Sequence, residues 1–582
     1  MSHCRFEIAD CPPEHVRRLR DALSVSEALA QVLVRRGFTD PEGARTFLNA
    51  TEEHPPEAFA GIEEAVQLIL EHVRSGARIT IHGDYDVDGI CSTAVLVGAL
   101  RDLGADVDSY LPDRDGDGYG LAEATVRRLA ARGTRLLITA DCAITAVSEV
   151  ALARELGMQV IVSDHHTPRA DGELPRAPIV HPALCGYPSV DLCATAVAYK
   201  LAQAVYAGAG RDPQELRRDL DLVALATIAD VVALRGENRT LVRRGLRALA
   251  GTAKPGLRAL MSVARVDPAK VDERSVAFAL APRLNAAGRL YRADAGLELV
   301  LTGDPLRAAQ IAAELDAANS ERRQVEMRIR YEAEAQMDEL GERAAYVLAG
   351  EGWHPGVIGI VASRMVERSG RPVVMIALEG KRGRASGRSV EAFDLLAGLS
   401  ACEAHLARYG GHRAAAGLEI ERSRVPDFAA ALCAHAESVL APADLVALER
   451  VDAVVGGDEL GIELAEELRT LAPFGRANPG VSLMVADAVL ADPRPMGEGK
   501  HVRFTVESRG AKARAVAFGN GGRLPVDQGI PVLATFSLEV NEWNGASEPR
   551  LVLRQAAPAE LELTAQQSDD RLEEPVGELV LF

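Results

Sequence analysis

The sequence predicts an α/β protein in which a parallel-sheet domain is joined by one long helix to a smaller α/β domain and followed by a small β-barrel. Three observations carry this prediction. Between Arg78 and His166, short β-branched runs alternate with helical patterns closed by Gly104, Gly133 and Gly157, as right-handed βαβ units require. From Pro305 to Leu340 a helical pattern runs without a glycine or an internal proline. After roughly residue 445, five short strand-like runs separated by Gly, Pro and Asn take the place of helices.

Composition sets the limits. At 582 residues the chain has room for several domains, at roughly one per 150 residues. A hydrophobic fraction of 48% and a charged fraction of 26% are those of a soluble globular protein. No run approaches the ~18 apolar residues of a membrane span, and the beginning of the chain, with Cys4, Glu7 and Asp10, lacks a basic region followed by an apolar one. A cytoplasmic location without membrane contact is expected. The eight cysteines form no CxxC pair, which disfavours zinc fingers and disulfide frameworks. A net charge of −19 argues against nonspecific coating of nucleic acid but leaves room for a narrow basic groove.

Taken in order, residues 1–55 read as helical, with SVSEALAQVLVRRG closing at Gly37 and TDPEGARTFL starting behind a Thr39 cap and Pro41. After the HPPEAF break, Ile62 to Val73 is amphipathic. The strand around Ile79 and Ile81 then delivers HGDYDVDG, in which Asp84, Asp86 and Asp88 alternate between Gly83 and Gly89. A turn at those glycines fans the three carboxylates around one point. Held together they repel, unless a hard divalent ion with a preference for oxygen ligands neutralises them. A solvated Asp-rich turn is the alternative reading. An EF-hand is excluded, because no Glu stands where its last ligand belongs.

Two further strand ends deliver acids and imidazoles. The run Leu136–Thr139 leads to Asp141, and Gln159–Val162 leads to Asp164, His165 and His166. In a parallel sheet the ligand site lies beyond the carboxyl ends of the strands, so these side chains converge on one rim. Asp230 is the lone charge in VALATIADVVAL, where a buried acid seldom goes unpaired. Individually, Asp230 reads equally as a helix cap and the histidines as a satisfied polar pair. Together they suit a binuclear Mn²⁺ or Mg²⁺ centre, in which a carboxylate bridges ions roughly 3.5–4 Å apart. Further on, APRLNAAGRL groups Arg283, Asn285 and Arg289, two guanidiniums and an amide fit for a phosphodiester, or a capped helix start with surface arginines.

Behind the long helix, GRASGRSV offers the hydroxyl of Ser386 beside the guanidinium of Arg388, and Gly410, Gly411 and His412 set bare backbone beside an imidazole. The terminal strands suggest an OB-fold, the commonest small barrel with nucleic-acid function, with Phe474, Arg476, Lys500, Arg503 and Arg514 as groove candidates. The expected divisions are 1–55 helical, 56–303 catalytic, 304–340 connecting helix, 341–445 substrate-binding, 446–560 OB-fold and 561–582 acidic tail.

The succession HGDYDVDG, ITADCAI, VSDHH and TIADVVAL resembles the four metal-binding motifs of the DHH phosphoesterase superfamily, named for the triad at Asp164, His165 and His166. The resemblance implies two ions, Mn²⁺ or Mg²⁺, with Asp86 and Asp88 on different ions, Asp141 bridging, and His165 and Asp230 completing one shell. Asp84, His166 and Arg289 would act at the reacting phosphate, with His82 near the second ion. The pattern GGHxxAxG, with Trp353 and His354, is similar to the DHHA1 domain, where such residues contact substrate. Domain order, with PFGRANPG and NEWNG in the barrel, resembles the superfamily's single-stranded-DNA-specific 5′ to 3′ exonucleases of recombination and repair, which release 5′-mononucleotides. It further implies a 5′-phosphate pocket of Arg114, Ser386 and Arg388, a monomer, and a RecQ-type helicase and a single-strand-binding protein as partners. Smaller members of the superfamily cleave nanoRNA or cyclic dinucleotides, pyrophosphatases share the core, and a replication factor keeps the scaffold to bind DNA without cutting it. The OB-fold and the complete ligand set favour cleavage of a long polymer. Three positions depart from the family's habit: Ala143 and Ala477 where Gly is usual, and His181 where Asn is usual.

Overall fold

The computed structural model describes residues 4–112, 120–290, 294–543, 546–558 and 564–566, with no side-chain description at 4, 287–290, 447, 543 and 564–566. The chain forms two compact units, one of residues 52–436 with 475–478, the other of residues 1–51 with 437–474 and 479–576.

The second of these units begins with strand β1 (Cys4–Ala9) and helices α1 (Pro13–Leu23), α2 (Glu27–Arg35) and α3 (Pro41–Asn49). The strand is a departure from the helical reading of residues 1–55, and the cap of α3 is Asp40, whose carboxylate accepts from Glu42 and Gly43 N–H, not Thr39. Nor does this region stand apart as expected. Leu19, Leu29, Leu33 and Ala44 share one core with Leu483, Val502 and Phe536 of the barrel.

The first of these units opens with α4 (Ile62–Ser75) and a five-stranded, wholly parallel sheet: β2 (Ile79–His82), β3 (Val107–Tyr110), β4 (Leu136–Ala140), β5 (Gln159–Ser163) and β6 (Ile179–Val180). Its order is β3-β2-β4-β5-β6, so the connections run outward in opposite directions from β2 and β4, and a crevice opens at their carboxyl ends. Helices α5 (Val87–Asp102), α6 (Glu123–Ala131) and α7 (Val147–Glu155) link the strands; α8 (Ala194–Gly208) and α9 (Leu220–Ala229) pack against α5. Helix α5 is buried on all sides from Val87 to Leu100, apart from Gly98 at its rim, and apolar there but for Asp88, Ser92 and Thr93, which explains its weak amphipathic pattern.

The connecting helix spans Pro305–Leu340, as expected, and buries Ile311 and Leu315 in the core of the parallel-sheet domain and Ile329 and Ala333 in that of the next domain. There, β7 (Tyr346–Glu351), β8 (Val373–Glu379), β9 (Arg382–Arg388), β10 (Arg408–Gly411) and β11 (Ala415–Glu421) form a mixed sheet in the order β10-β11-β9-β8-β7. In the other unit, β12 (Ala447–Arg450) and β13 (Ala453–Val454) precede five barrel strands: β14 (Leu483–Met496), β15 (His501–Ser508), β16 (Ala511–Ala517), β17 (Pro531–Trp543) and β18 (Ala546–Pro558). Their order β14-β15-β16-β18-β17, closed by pairing of β14 with β17, is that of an OB-fold. A last strand, β19 (Thr564–Gln566), pairs with β1 inside what reads as an acidic tail; the rest of that tail lies outside the described residues.

Candidate metal centre

The Asp-rich octet is half loop and half helix. Asp86 caps α5, accepting from the N–H groups of Asp88 (2.9 Å) and Gly89 (3.0 Å), and Asp88 already lies in the first turn. The flanking glycines serve close approach rather than a left-handed turn. A Cβ on Gly89 would collide with the Asp84 backbone, and one on Gly83 with Thr93 Oγ1. Asp88 reaches the opposite way, to the start of α8, whose cap residue Cys193 supplies no side-chain bond. Its two oxygens accept from Ala194 N–H (2.7 Å), Thr195 N–H (2.8 Å) and Thr195 Oγ1 (2.6 Å), so the carboxylate sits on a positive helix end.

Side chains just beyond β2, β4 and β5, at the start of α5 and at the end of α9 meet in three overlapping groups: Asp84, Asp86 and Asp141; Asp88, His165 and Asp230; and Asp141, His165 and His166. Within each, one ligand atom per residue lies within 4.8 Å of the others. His165 Nε2 is the hub, 3.2 Å from Asp141, 3.7 Å from Asp88 and 3.8 Å from Asp230. Asp141 belongs to the first and third groups and meets the second through His165. Oδ1 of Asp141 is buried without a hydrogen bond among the described residues, and burial, reinforced by the charges of Asp88, Asp86, Asp84 and Asp230, holds its carboxyl well above the usual range. Burial and Asp88 likewise push Asp86 up. The backbone is strained at the same places: φ is 72° at Asp141, 83° at Ala143 and 56° at Val231, directly after Asp230.

Asp164 has another task. Its carboxylate accepts from Ile144 N–H (2.9 Å), His165 N–H (2.8 Å) and His166 Nδ1 (2.8 Å). Burial alone would raise it, but His166, by charge and hydrogen bond, then His165 and the Ile144 amide, hold it far below the ordinary carboxylate range. His82 is buried against the Tyr110 ring, centroids 5.6 Å apart, with Nδ1 3.5 Å from Cys142 Sγ.

Residues 78–227 match the DHH family, N-terminal domain, residues 341–438 the DHHA1 domain and residues 451–555 the RecJ OB domain. The single-stranded-DNA-specific exonuclease RecJ of Bacillus subtilis is 38% identical over 97% of this chain and 72% of its own length. That of Thermus thermophilus is 36% identical over 93% of this chain and 77% of its own. The chain belongs to the RecJ family. Among solved structures, T. thermophilus RecJ in complex with Mn²⁺ superposes with a TM-score of 0.83 at 32% identity, covering 95% of this chain and 80% of that one; its Mg²⁺ complex gives 0.77 at 30%.

The residues here fit such ions. A set of five aspartates and two histidines offers the donors that Mn²⁺ and Mg²⁺ accept, and the buried Asp141 carboxylate, 3.2 Å from His165 Nε2, stands among like charges that a divalent cation would relieve.

The other residues expected at a RecJ substrate site fall less uniformly. Arg388 is buried, with Nη1 bonded to Ser386 Oγ (3.0 Å) and to the Gly387 carbonyl (2.8 Å), while among the described residues Nε and Nη2 make no hydrogen bond. Burial lowers its guanidinium to about 10. Gly410 and Gly411 are exposed in the β10–β11 hairpin, Gly411 at φ 141°, and His412 N–H donates to the Ala415 carbonyl. His354 caps the helix Pro355–Ser369 through Nδ1. Trp353, expected at the substrate, lies instead in the core, its Nε1 donating to Glu332. Arg283 also turns inward, bonded to Asp316 (2.8 Å) and the Ala279 carbonyl (2.6 Å). Asn285 Oδ1 accepts from Val87 N–H, bracing the Asp-rich turn from behind. Arg289 lies on the helix Ala281–Leu290, but its side chain, like all of Arg114, is outside the described residues. Of the barrel candidates, Lys500, Arg503 and Arg514 are exposed on or beside β15 and β16. Phe474 packs against the core, and Arg476 belongs to a small hairpin of the catalytic unit, its carbonyl accepting from Leu234 N–H.

Sequence reading passed over Thr195 and Asp221. The first shows itself only as a capless start to α8. The second is fully buried on α9, nine residues before Asp230, and pairs with Lys254 (2.8 Å) and Thr252 (2.7 Å).

Proposed function

We propose that this chain hydrolyses single-stranded DNA from its 5′ end, releasing 5′-mononucleotides with the help of two divalent ions, Mn²⁺ or Mg²⁺. The observation that carries the reading is the convergence of Asp84, Asp86, Asp88, Asp141, His165 and Asp230 in a RecJ-family chain. Asp84 and Asp86 would hold one ion, Asp88, His165 and Asp230 the other, and Asp141 both. Bound there, the ions supply Lewis-acid activation of water and neutralise charge on the phosphodiester.

The chain's own groups do the rest. Helix α8 and Thr195 fix Asp88, and the Asp86 cap fixes the turn before it. Asp164 holds His166 by Nδ1, which commits the ring to presenting Nε2. With Arg289 on the helix beside Asn285, His166 steadies charge developing on the phosphate oxygens. Water adds to phosphorus, the bond to the 3′ oxygen breaks, and that oxygen takes a proton. The departing nucleotide keeps its 5′ phosphate, and the shortened strand is left with a new one.

Arg388 supplies a reason for polarity. A buried guanidinium with two nitrogens lacking acceptors among the described residues favours an anion; with Ser386, and with Arg114 as the resemblance implies, it would receive the terminal 5′ phosphate. On the barrel, the outer row of β14 and β15 sets Arg494 opposite Arg503, a like-charged pair that a nucleic-acid backbone relieves. Exposed Phe518 stands beside His501, ring centroids 5.2 Å apart, as a place for a base to stack. Among the described residues no helix is long and apolar enough to cross a membrane. Work as a monomer in the cytoplasm, in recombination and repair, alongside a RecQ-type helicase and a single-strand-binding protein, completes the proposal.

The test is digestion of 5′-labelled and 3′-labelled oligonucleotides beside blunt duplex and a cyclic dinucleotide. Immediate release of labelled mononucleotide from the 5′ end alone supports the reading. Cleavage of only the dinucleotide, or binding without cleavage, refutes it.

A further inference from the structure

The turn after β5 is held from one side by Asp164, which binds the amides of His165 and His166 and the His166 ring. The opposite side is held by a residue outside all four motifs. Strand β6 pairs with β5 in the register Val162 with Ile179 and Ser163 with Val180, and Asp164 N–H donates to the Val180 carbonyl. The next residue, His181, is thereby set against the turn. Its Nε2 lies 2.9 Å from the His166 carbonyl, and its Nδ1 lies 3.3 Å from Leu184 N–H. A carbonyl only accepts and an amide only donates, so these partners select the tautomer with hydrogen on Nε2. The imidazole is 2% exposed and its own carbonyl is tied to Cys185 N–H, so it has no room to swing away.

We infer that His181 is a positioning residue for the reaction: its Nε2–H clamps the His166 carbonyl, so that His166 is held at its amide, its ring Nδ1 and its carbonyl. The inference rests on the nuclease reading of the same centre. A histidine at this position reaches the His166 carbonyl with a ring nitrogen. An asparagine carries an N–H donor and a carbonyl acceptor on one short side chain, so it can serve the same pair of backbone groups.

The experiment compares the full chain with His181→Leu, which keeps bulk without a donor, and His181→Asn. Three quantities are read: kcat and KM on a 5′-phosphorylated oligonucleotide, Mn²⁺ bound per chain, and amide exchange of residues 164–167 in metal-free protein. His181→Leu should lose about tenfold or more in kcat, with KM and Mn²⁺ stoichiometry retained and exchange faster at residues 164–167, while His181→Asn recovers most of the rate. Wild-type kcat in the leucine variant overturns the inference. So does a loss confined to KM or to Mn²⁺ binding, or an asparagine variant no better than leucine. If leucine prevents folding, a tenfold loss of kcat in His181→Asn is the overturning result, and a rate near wild type the supporting one. An unmodified chain that cuts no single strand refutes the nuclease reading itself, which is a different outcome from equal activity in all three proteins.

Discussion

Replacing Asp141 by Asn should stabilise the metal-free protein while destroying its response to metal. Asn is chosen because residue 141 has φ 72°, a left-handed conformation that Asn tolerates and Ala resists by roughly 1–2 kcal/mol. Asp141 stands within 4.8 Å of ligand atoms from Asp84 and Asp86, and two full charges at that separation repel by about 3.5 kcal/mol at an effective dielectric near 20. Burial and the neighbouring acids already raise its carboxyl, so protonation relieves part of this repulsion, and a net gain of about 1–3 kcal/mol remains. Ions at a hundredfold excess over their dissociation constant stabilise a folded protein by about 2.7 kcal/mol, and this is the gain the variant forgoes. The stability order of the two proteins should therefore cross. Calorimetry in EDTA should show the catalytic unit of Asp141→Asn melting a few degrees above wild type, and in Mn²⁺ below it, with no nuclease activity in either buffer. A variant less stable than wild type in EDTA, yet equally stabilised by Mn²⁺, would refute the account of a charge cluster assembled to hold cations.

Other expectations follow from single contacts. Ala143→Gly, at φ 83°, should gain up to about 1 kcal/mol in stability by thermal melting; a clear loss would mean the buried Ala143 methyl matters more than the strain. Lys200 and Glu237 form a fully buried pair at 2.6 Å, joined by Tyr187 and the residue-54 backbone, and Lys200→Met should cost about 3–5 kcal/mol in denaturant titration by stranding Glu237. Asp102 is raised by burial but lowered more by Arg218 and the Tyr206 hydroxyl. Its folded value therefore lies below its unfolded one, so its contribution is present above the ordinary carboxylate range and is lost as pH falls through the folded value. Asp102→Asn should cost about 0.5–1 kcal/mol at pH 7 and converge with wild type in acid, whereas a constant gap across pH would contradict the assignment. Arg388→Met should lower the preference for 5′-phosphorylated over 5′-hydroxyl ends by about tenfold, and equal preference in variant and wild type would remove Arg388 from the pocket.

How much of this was legible beforehand depended on whether a residue acts along the chain or across it. The strand-helix alternation, the 36-residue connecting helix and the five barrel strands were readable because periodicity and glycine stops are local signals. The acids and histidines announced themselves by standing at strand ends, where parallel sheets place ligands. What the sequence concealed was long-range. Strand β1 pairs with residues more than 400 positions away, so residues 1–51 look independent and are not. Gly83 and Gly89 looked like turn makers, yet each is required by a neighbour's atoms. Arg283 and Trp353 have the side chains of a substrate site, but Asp316 and Glu332 claim them from the connecting helix, and no local spacing could have said so. Ala143 and Ala477, read as departures from glycine, do occupy left-handed backbone, at φ 83° and 60°.

The most direct measurement is mononucleotide release from a 5′-labelled single strand by the full chain and by Asp141→Asn, in Mn²⁺, in Mg²⁺ and in EDTA. The account predicts stepwise release by the unmodified chain with either ion, none in EDTA, and none from the variant in any buffer. Release that persists in EDTA, or undiminished release by Asp141→Asn, would contradict a reaction built on two ions held between these aspartates.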